Sequence, residues 1–196
     1  MKKKLISIIL AAIFVISLVG CSSAKPEDTV NVFLKNTQSL DFEKMLESMN
    51  PDSKGSLDEL EDLESDKTTK CLMDYYRKNA SKMTYEIKNS EIDGDNATVT
   101  VNFKYIDGTD LFKEIISKLF EESIYRSFAG NDMTDEEMQD LFVEVINGYE
   151  GEDIFDTKTV EIYCIKKDNK WYIDDAGDDF IDVIFCNSES YFDTLE

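Results

Sequence analysis

The side chains that could do chemistry in this chain are acids, tyrosines and cysteines, because its 196 residues include no histidine. Without imidazole there is no Ser/His or Cys/His nucleophile pair, and no histidine to complete a zinc site. Cysteine occurs at Cys21, Cys71, Cys164 and Cys186, never in the CxxC spacing of dithiol and zinc motifs. The eight glycines are scattered singly, so no phosphate-cradling loop, nucleotide fingerprint or nucleophile elbow is present. Among the acids, Asn89, Glu91, Asp93 and Gly94 come closest to a calcium loop. Its twelfth position is Thr100, where such a loop needs a bidentate carboxylate, and the segment reads better as a strand and tight turn. Asp174-Asp175-Ala176-Gly177-Asp178-Asp179 puts four carboxylates in six residues. A solvated turn capping the last helix accounts for them, with weak cation binding as the alternative. A carboxylate acting with Tyr85, Tyr105, Tyr163 or Tyr172 is the acid–base arrangement left open. With no fixed spacing to an acid, those rings are expected to fill a sheet face, each hydroxyl hydrogen-bonded, and the sole tryptophan, Trp171, is expected in the core. No catalytic residue, metal ligand or cofactor is assigned.

The remaining thiol chemistry is at the N-terminus. Lys2, Lys3 and Lys4 precede an uncharged run, Leu5 to Val19, interrupted only by Ser7 and Ser17, and the chain turns polar at Ser22. A basic start, an apolar stretch and a small-residue step form the layout of a signal peptide, and 15 apolar-run residues fall short of the about 20 that a permanent span needs. Leu18-Val19-Gly20-Cys21 resembles the lipobox of bacterial lipoproteins. The resemblance implies that the Cys21 thiol accepts a diacylglyceryl group and that cleavage follows Gly20. Residues 1–20 are then a cleaved signal, 21–25 the lipidated cysteine with a short tether, and 26–196 one folded domain. Two acyl chains, at about 0.8 kcal/mol per buried methylene, would hold it on the extracytoplasmic face of the cell membrane.

Loss of residues 1–20 removes three lysines and no acid, so the formal charge moves from −21 to −24. Such a balance disfavours nucleic acid and anionic lipid as partners and favours solubility at a surface. Of the three other cysteines, one pair could form a disulfide in an exported protein. Cys164 and Cys186 lie in apolar stretches and read as small buried residues.

Pro26, Glu27 and Asp28 open a helix carrying Val30, Phe33 and Leu34. Asp41 caps a second with Phe42, Met45, Leu46 and Met49, stopped at Asn50-Pro51. Ser56 with Glu59 predicts a short acidic helix around Leu57, Leu60 and Leu63, and another carries Cys71, Leu72, Tyr75 and Tyr76 to near Asn79. Ala97, Val99, Val101, Phe103 and Tyr105 then alternate with polar residues on a strand, paired through the Asp93–Asn96 turn with Met83–Ile92 and covered by the first helix or the insert. Leu111, Phe112, Ile115, Ile116, Leu119 and Phe120 predict an amphipathic helix whose stripe must be buried. Thr134 and Glu137 cap a second insert helix with Met138, Leu141, Phe142, Val145 and Ile146. Lys158–Lys166 and Lys170–Asp174 form another hairpin around Asp168-Asn169, and a last helix spans roughly Asp178 to Cys186. The expected class is α+β: N-terminal helices on a curved antiparallel sheet of two hairpins, with a two-helix insert and a C-terminal helix.

Lys25–Leu34, Asp41–Met45, Lys158–Ile162 and Lys167–Asp174, with its lysine–tryptophan strand, resemble nuclear-transport-factor-two-like domains of exported lipoproteins from Gram-positive bacteria, clostridial type. The resemblance implies a conical cavity between sheet and helices, used by some relatives for binding and by others for catalysis. The functional expectation is a membrane-tethered, non-enzymatic binding or interaction module, taking a protein partner or a small apolar ligand. The alternatives are a cavity acid–base enzyme on a small hydrophobic substrate and a weak cation-binding surface protein.

Overall fold

The computed structural model describes residues 24–53 and 66–195. The signal segment, Cys21 and the helix expected at Ser56–Leu63 lie outside the described residues. Among the described residues seven helices and four strands follow in order: α1 (Pro26–Thr37), α2 (Phe42–Ser48), α3 (Lys67–Ala80), β1 (Thr84–Asp93), β2 (Asn96–Ile106), α4 (Thr109–Ala129), α5 (Asp135–Gly148), β3 (Phe155–Lys167), β4 (Lys170–Asp175), α6 (Asp179–Ile184) and α7 (Ser188–Asp193). This is the expected α+β architecture.

The strands form one antiparallel sheet in the order β1-β2-β3-β4. Gly94, with φ +63°, turns the first hairpin, and Asp168 and Asn169, both at positive φ, turn the second. Two irregularities, between Ile87 and Asn89 and between Tyr163 and Cys164, bend the outer strands and curve the sheet. Ala97, Val99, Val101, Phe103 and Tyr105 share the buried face as their period requires. Opposite them, Val99 pairs with Ile162, Val101 with Val160 and Ala97 with Cys164, so β3 presents its apolar residues to the same side.

Helix α1 covers this face, with Val30, Phe33 and Leu34 fully out of water. Thr29 donates from its hydroxyl to the Trp171 carbonyl at 3.2 Å, tying α1 to β4. After α2, capped by the Asp41 carboxylate on the Lys44 amide, Met49 forms a parallel bridge to Ile173, and the Asn50 amide donates to the Ile173 carbonyl at 2.6 Å. That short segment occupies the free edge of β4, which would otherwise offer unpaired backbone groups. Helix α3 buries Met73, Tyr76 and Ala80, whereas Cys71, Leu72 and Tyr75 are only half-buried.

Of the two covers expected for β2, the first helix is the one observed: α1 contacts β2 together with α3 and α6, while α4 and α5 pack on each other, α4 also against α7 and α5 against α3. One expectation is corrected: the stripe of α4 is buried only at Leu111, Phe112 and Ile115, while Ile116 and Phe120 are exposed and Leu119 is half-buried. The expected last helix is α6, and beyond it Cys186 and Asn187 both adopt left-handed backbone and reverse the chain into a further short helix, α7.

Gly108 marks where α4 begins, against the core. Its amide donates to the Cys186 carbonyl at 2.9 Å, and a Cβ there would come within 3.0 Å of Cys186 Cβ, Phe112 Cε2 and the Tyr75 hydroxyl. Gly108→Ala should therefore lower stability by about 1–3 kcal/mol through overpacking. Gly148→Ala, where the new methyl meets nothing within 4 Å, should not. Urea titration of the two variants checks the contrast.

Candidate functional site

A cleft of about 610 Å³ opens where α1, the end of α2, β4 and α6 meet. Phe33, Met49, Phe180 and Ile184 line its apolar part, and the Phe33 and Phe180 rings lie 5.4 Å apart. Its polar lining is Ser53, Asp174, Asp175 and Asp178, three acids and no base among the described residues. Asp174 is fixed by two donors on Oδ1, the Asn50 side-chain amide at 2.5 Å and the Ser53 hydroxyl at 2.9 Å. The Asn50 carbonyl in turn accepts from Lys167 Nζ at 2.7 Å, and Lys167 also pairs with Asp52 at 2.6 Å. Gly177, at φ +78°, lets the chain turn past the Glu161 carbonyl, which a Cβ would approach to 3.0 Å. The arrangement suits an apolar body with a positively charged end.

The acids of residues 174–179 diverge. Asp175 accepts the Gly177 amide at 2.8 Å, and Asp179 pairs with Lys158 at 3.1 Å. Asp178 does not cap α6 as expected: its own backbone is already helical and its side chain makes no cap bond. Asn89, Glu91 and Asp93 lie along exposed β1, on a hairpin rather than a loop that could wrap an ion. Among the described residues no three acids or cysteines are grouped to hold a metal.

A second polar group lies at the far end of the inner sheet face. Tyr105 and Asp156 are register partners on β2 and β3. The Tyr105 hydroxyl donates to Asn187 Oδ1 at 2.6 Å and lies 3.4 Å from Asp156. Burial, then the charges of Asp156 and Asp182, push the Tyr105 phenol up, so it stays protonated. Asp182 is 4% exposed and accepts from Lys158 Nζ at 2.7 Å, from the Ser190 amide at 3.0 Å and from the Ser190 hydroxyl. Burial opposes its charge, yet these donors, led by Lys158, hold its carboxyl below the ordinary range. Lys158 is lowered by burial and raised more by Asp182 and Asp179, so both partners are charged at neutral pH.

Of the other tyrosines, Tyr85 donates to Asn31 Oδ1 at 2.8 Å, Tyr163 donates to Glu161 at 3.0 Å on the exposed face, and Tyr172 is half-buried beneath Lys170. Trp171 is buried, as expected. The three described thiols are free. Burial pushes Cys164 and Cys186 up to about 12, which makes them apolar fillers rather than nucleophiles. Cys71 is half-buried and also raised, by burial and then Asp74.

Sequence reasoning missed Asn50, Asp182, Asn187 and Lys158. Asp182 stands alone among Phe180, Ile181, Val183, Ile184 and Phe185, and a lone acid in an apolar run is a signal of a buried pair. No comparable signal marks Asn50, which reads only as the stop before Pro51.

No family model matches the chain, and no curated protein matches it. Among solved structures, a presumed lipoprotein of Bacillus subtilis, YcdA, is similar at 18% identity and a TM-score of 0.40, over 82% of this chain and 46% of that one. This chain spans just under half of that protein's length, and at that score no shared property follows.

Asp182→Asn should cost about 3 kcal/mol, the low end for breaking a buried pair, because Lys158 keeps Asp179. The depressed Asp182 carboxyl contributes stability that is present above the unfolded value of about 3.9 and lost as pH falls through the folded one. Urea midpoints measured from pH 7 down to pH 3 should fall less steeply for the variant than for the parent chain.

Proposed function

We propose that this protein is a lipid-anchored, extracytoplasmic binding module whose cleft takes an apolar ligand bearing a positive charge. The cleft carries the reading: an apolar floor with Asp174, Asp175 and Asp178 at its edge and no base among its described lining. The address rests on the Lys2–Lys4 start, the Leu5–Val19 run and Leu18-Val19-Gly20-Cys21. Among the described residues no helix is long and apolar enough to cross a membrane. The attachment proposed is a lipid on Cys21, and it rests on that N-terminal layout. The nuclear-transport-factor-two-like resemblance belongs to the same proposal. The stretches that carry it fall in α1, α2, β3 and β4, and α1, the end of α2 and β4 border the cleft.

An acid–base enzyme would set a carboxylate beside a tyrosine inside such a cleft. Asp174 instead neighbours Asn50 and Ser53, and the contact between Tyr105 and Asp156 lies outside the cleft lining, which favours binding over catalysis.

Cys21→Ser removes the only thiol that the lipobox-like step presents. The variant should incorporate no labelled palmitate in a producing bacterium and should accumulate unprocessed or released; label on it would sink the anchoring claim.

The cleft reading is checked with octylamine, octanol and octanoate as probes. A chain starting at Ser22 keeps every residue of the buried core among the described residues, where it begins at Val30. Calorimetric titration should rank octylamine first and octanoate last. Asp178→Asn should weaken octylamine about two- to fivefold, the scale of one exposed charge. Ile181→Trp, in the half-open wall, should weaken all three. Equal binding of the three probes, or preference for octanoate, would contradict the acidic-edge reading.

A further inference from the structure

The three acids of the cleft are not equivalent. Asp175 and Asp178 are exposed, so water screens their charges, whereas Asp174 is half-buried at the edge of the apolar floor. Oδ1 of Asp174 accepts from the Asn50 side-chain amide at 2.5 Å and from the Ser53 hydroxyl at 2.9 Å, and no described residue donates to its Oδ2. Asn50 is itself held on every side. It is 3% exposed, its backbone amide binds the Ile173 carbonyl, and its Nδ2 also reaches Ser53 Oγ at 3.0 Å. Its Oδ1 accepts from Lys167 Nζ at 2.7 Å and from the Asp52 amide at 3.2 Å, which fixes the nitrogen end of the side chain toward Asp174. Asp52, 2.6 Å from the same ammonium, offsets the Lys167 charge. The result is one carboxylate with a fixed oxygen and a second oxygen left to accept.

Two kinds of organic cation ask different things of such a site. A quaternary ammonium has no N–H and is held on open aromatic faces. Phe33 and Phe180 are 0% and 4% exposed and lie against each other, and Phe185, the third ring of the lining, is half-buried against Tyr76 at 5.0 Å. These rings make a floor rather than a cage. A primary ammonium donates hydrogen bonds instead, and a positioned carboxylate oxygen is the acceptor that suits it.

We propose that the cleft recognises an amphiphile whose cation bears N–H groups, a primary alkylamine in its simplest form, with Asp174 Oδ2 as the acceptor and Asn50 as the positioning residue that holds the carboxylate. The proposal rests on the cleft reading and narrows it from charge to hydrogen bonding.

The test titrates the chain starting at Ser22 with octylamine, octyltrimethylammonium and octanol near pH 7, well below the about 10.4 at which a lysine-like amine loses its proton. The two cations share tail and charge and differ in their N–H donors. Octylamine should bind roughly tenfold or more tightly than octyltrimethylammonium, the scale of a hydrogen bond to a charged group. Asp174→Asn should bring the two to within about twofold, because the remaining exposed acids act on both cations alike. A head group excluded by its size alone would keep the gap in that variant. Asn50→Leu leaves the net charge unchanged and should also narrow the gap. Because Asn50 is buried, thermal melts are recorded alongside, and Ser53→Ala, which removes the other donor to Oδ1, carries the same expectation if Asn50→Leu does not fold.

Equal binding of the two cations, both ahead of octanol, would overturn this proposal and leave the cleft reading standing. Octanol binding as well as either cation would overturn the cleft reading and this proposal with it. A gap that survives Asp174→Asn would overturn the assignment to Asp174, and a gap unchanged in the folded Asn50→Leu chain, or in Ser53→Ala where that chain does not fold, would overturn the positioning role.

Discussion

Val99 and Val101 lie on a central strand with no surface left to water, and a sheet that buries one face so completely needs a roof along its whole length. Each hairpin alone would be marginal. The roof comes from three separate stretches of the chain. Helix α1 lies over β4, β2 and β1, α3 over β2, and α6 over β2 and β3, so Phe33, Phe103 and Phe180 meet in one aromatic contact chain although they are far apart in sequence. Elements from both ends of the chain are thereby committed to the same face, and neither end can leave without exposing the other's partners.

That commitment explains the polar group at the end of the inner face. The period of β3 carries Val160, Ile162 and Cys164 inward and, continued backwards, carries Lys158 and Asp156 inward too. A half-buried ammonium there is costly unless a carboxylate meets it with further donors. Asp182 meets it from α6, and Ser190 fills the remaining sites on that carboxylate from α7. The reversal at Cys186 and Asn187 brings Ser190 back and lets Asn187 accept from Tyr105. Polar pairing at this end thus fixes the register of the C-terminal segment, while apolar packing at the other end supplies most of the burial.

The cleft and the outer face of the insert follow from the same geometry. The roof helices leave a gap at the β4 edge, where α6 descends beside Met49 and Asp174, and the gap inherits acids from the turn that feeds α6. The insert leaves the sheet after Gly108 and rests on α3 and α7, so the α4 stripe is buried as far as Ile115, half-buried at Leu119 and exposed beyond it. Packing, rather than helix formation, separates its inner half from its outer half.

The sequence alone determined the local elements. Pro26 with Glu27 and Asp28, Asp41, the Asp93–Asn96 turn, Asp168-Asn169, and Thr134 with Glu137 act within a few residues of themselves, and the structure places helix starts and hairpins at each of them. The alternation from Ala97 to Tyr105 also settled which face of β2 is inner, because a strand's side chains have only two directions. Only the tertiary structure decided what covers that face, which half of the α4 stripe is buried, and that Asn50 reaches Asp174 and Lys158 reaches Asp182. A periodic apolar stripe says that a helix can be buried, not against what. The contacts that answer this join residues 24 to 124 positions apart, and no spacing rule within the chain links them.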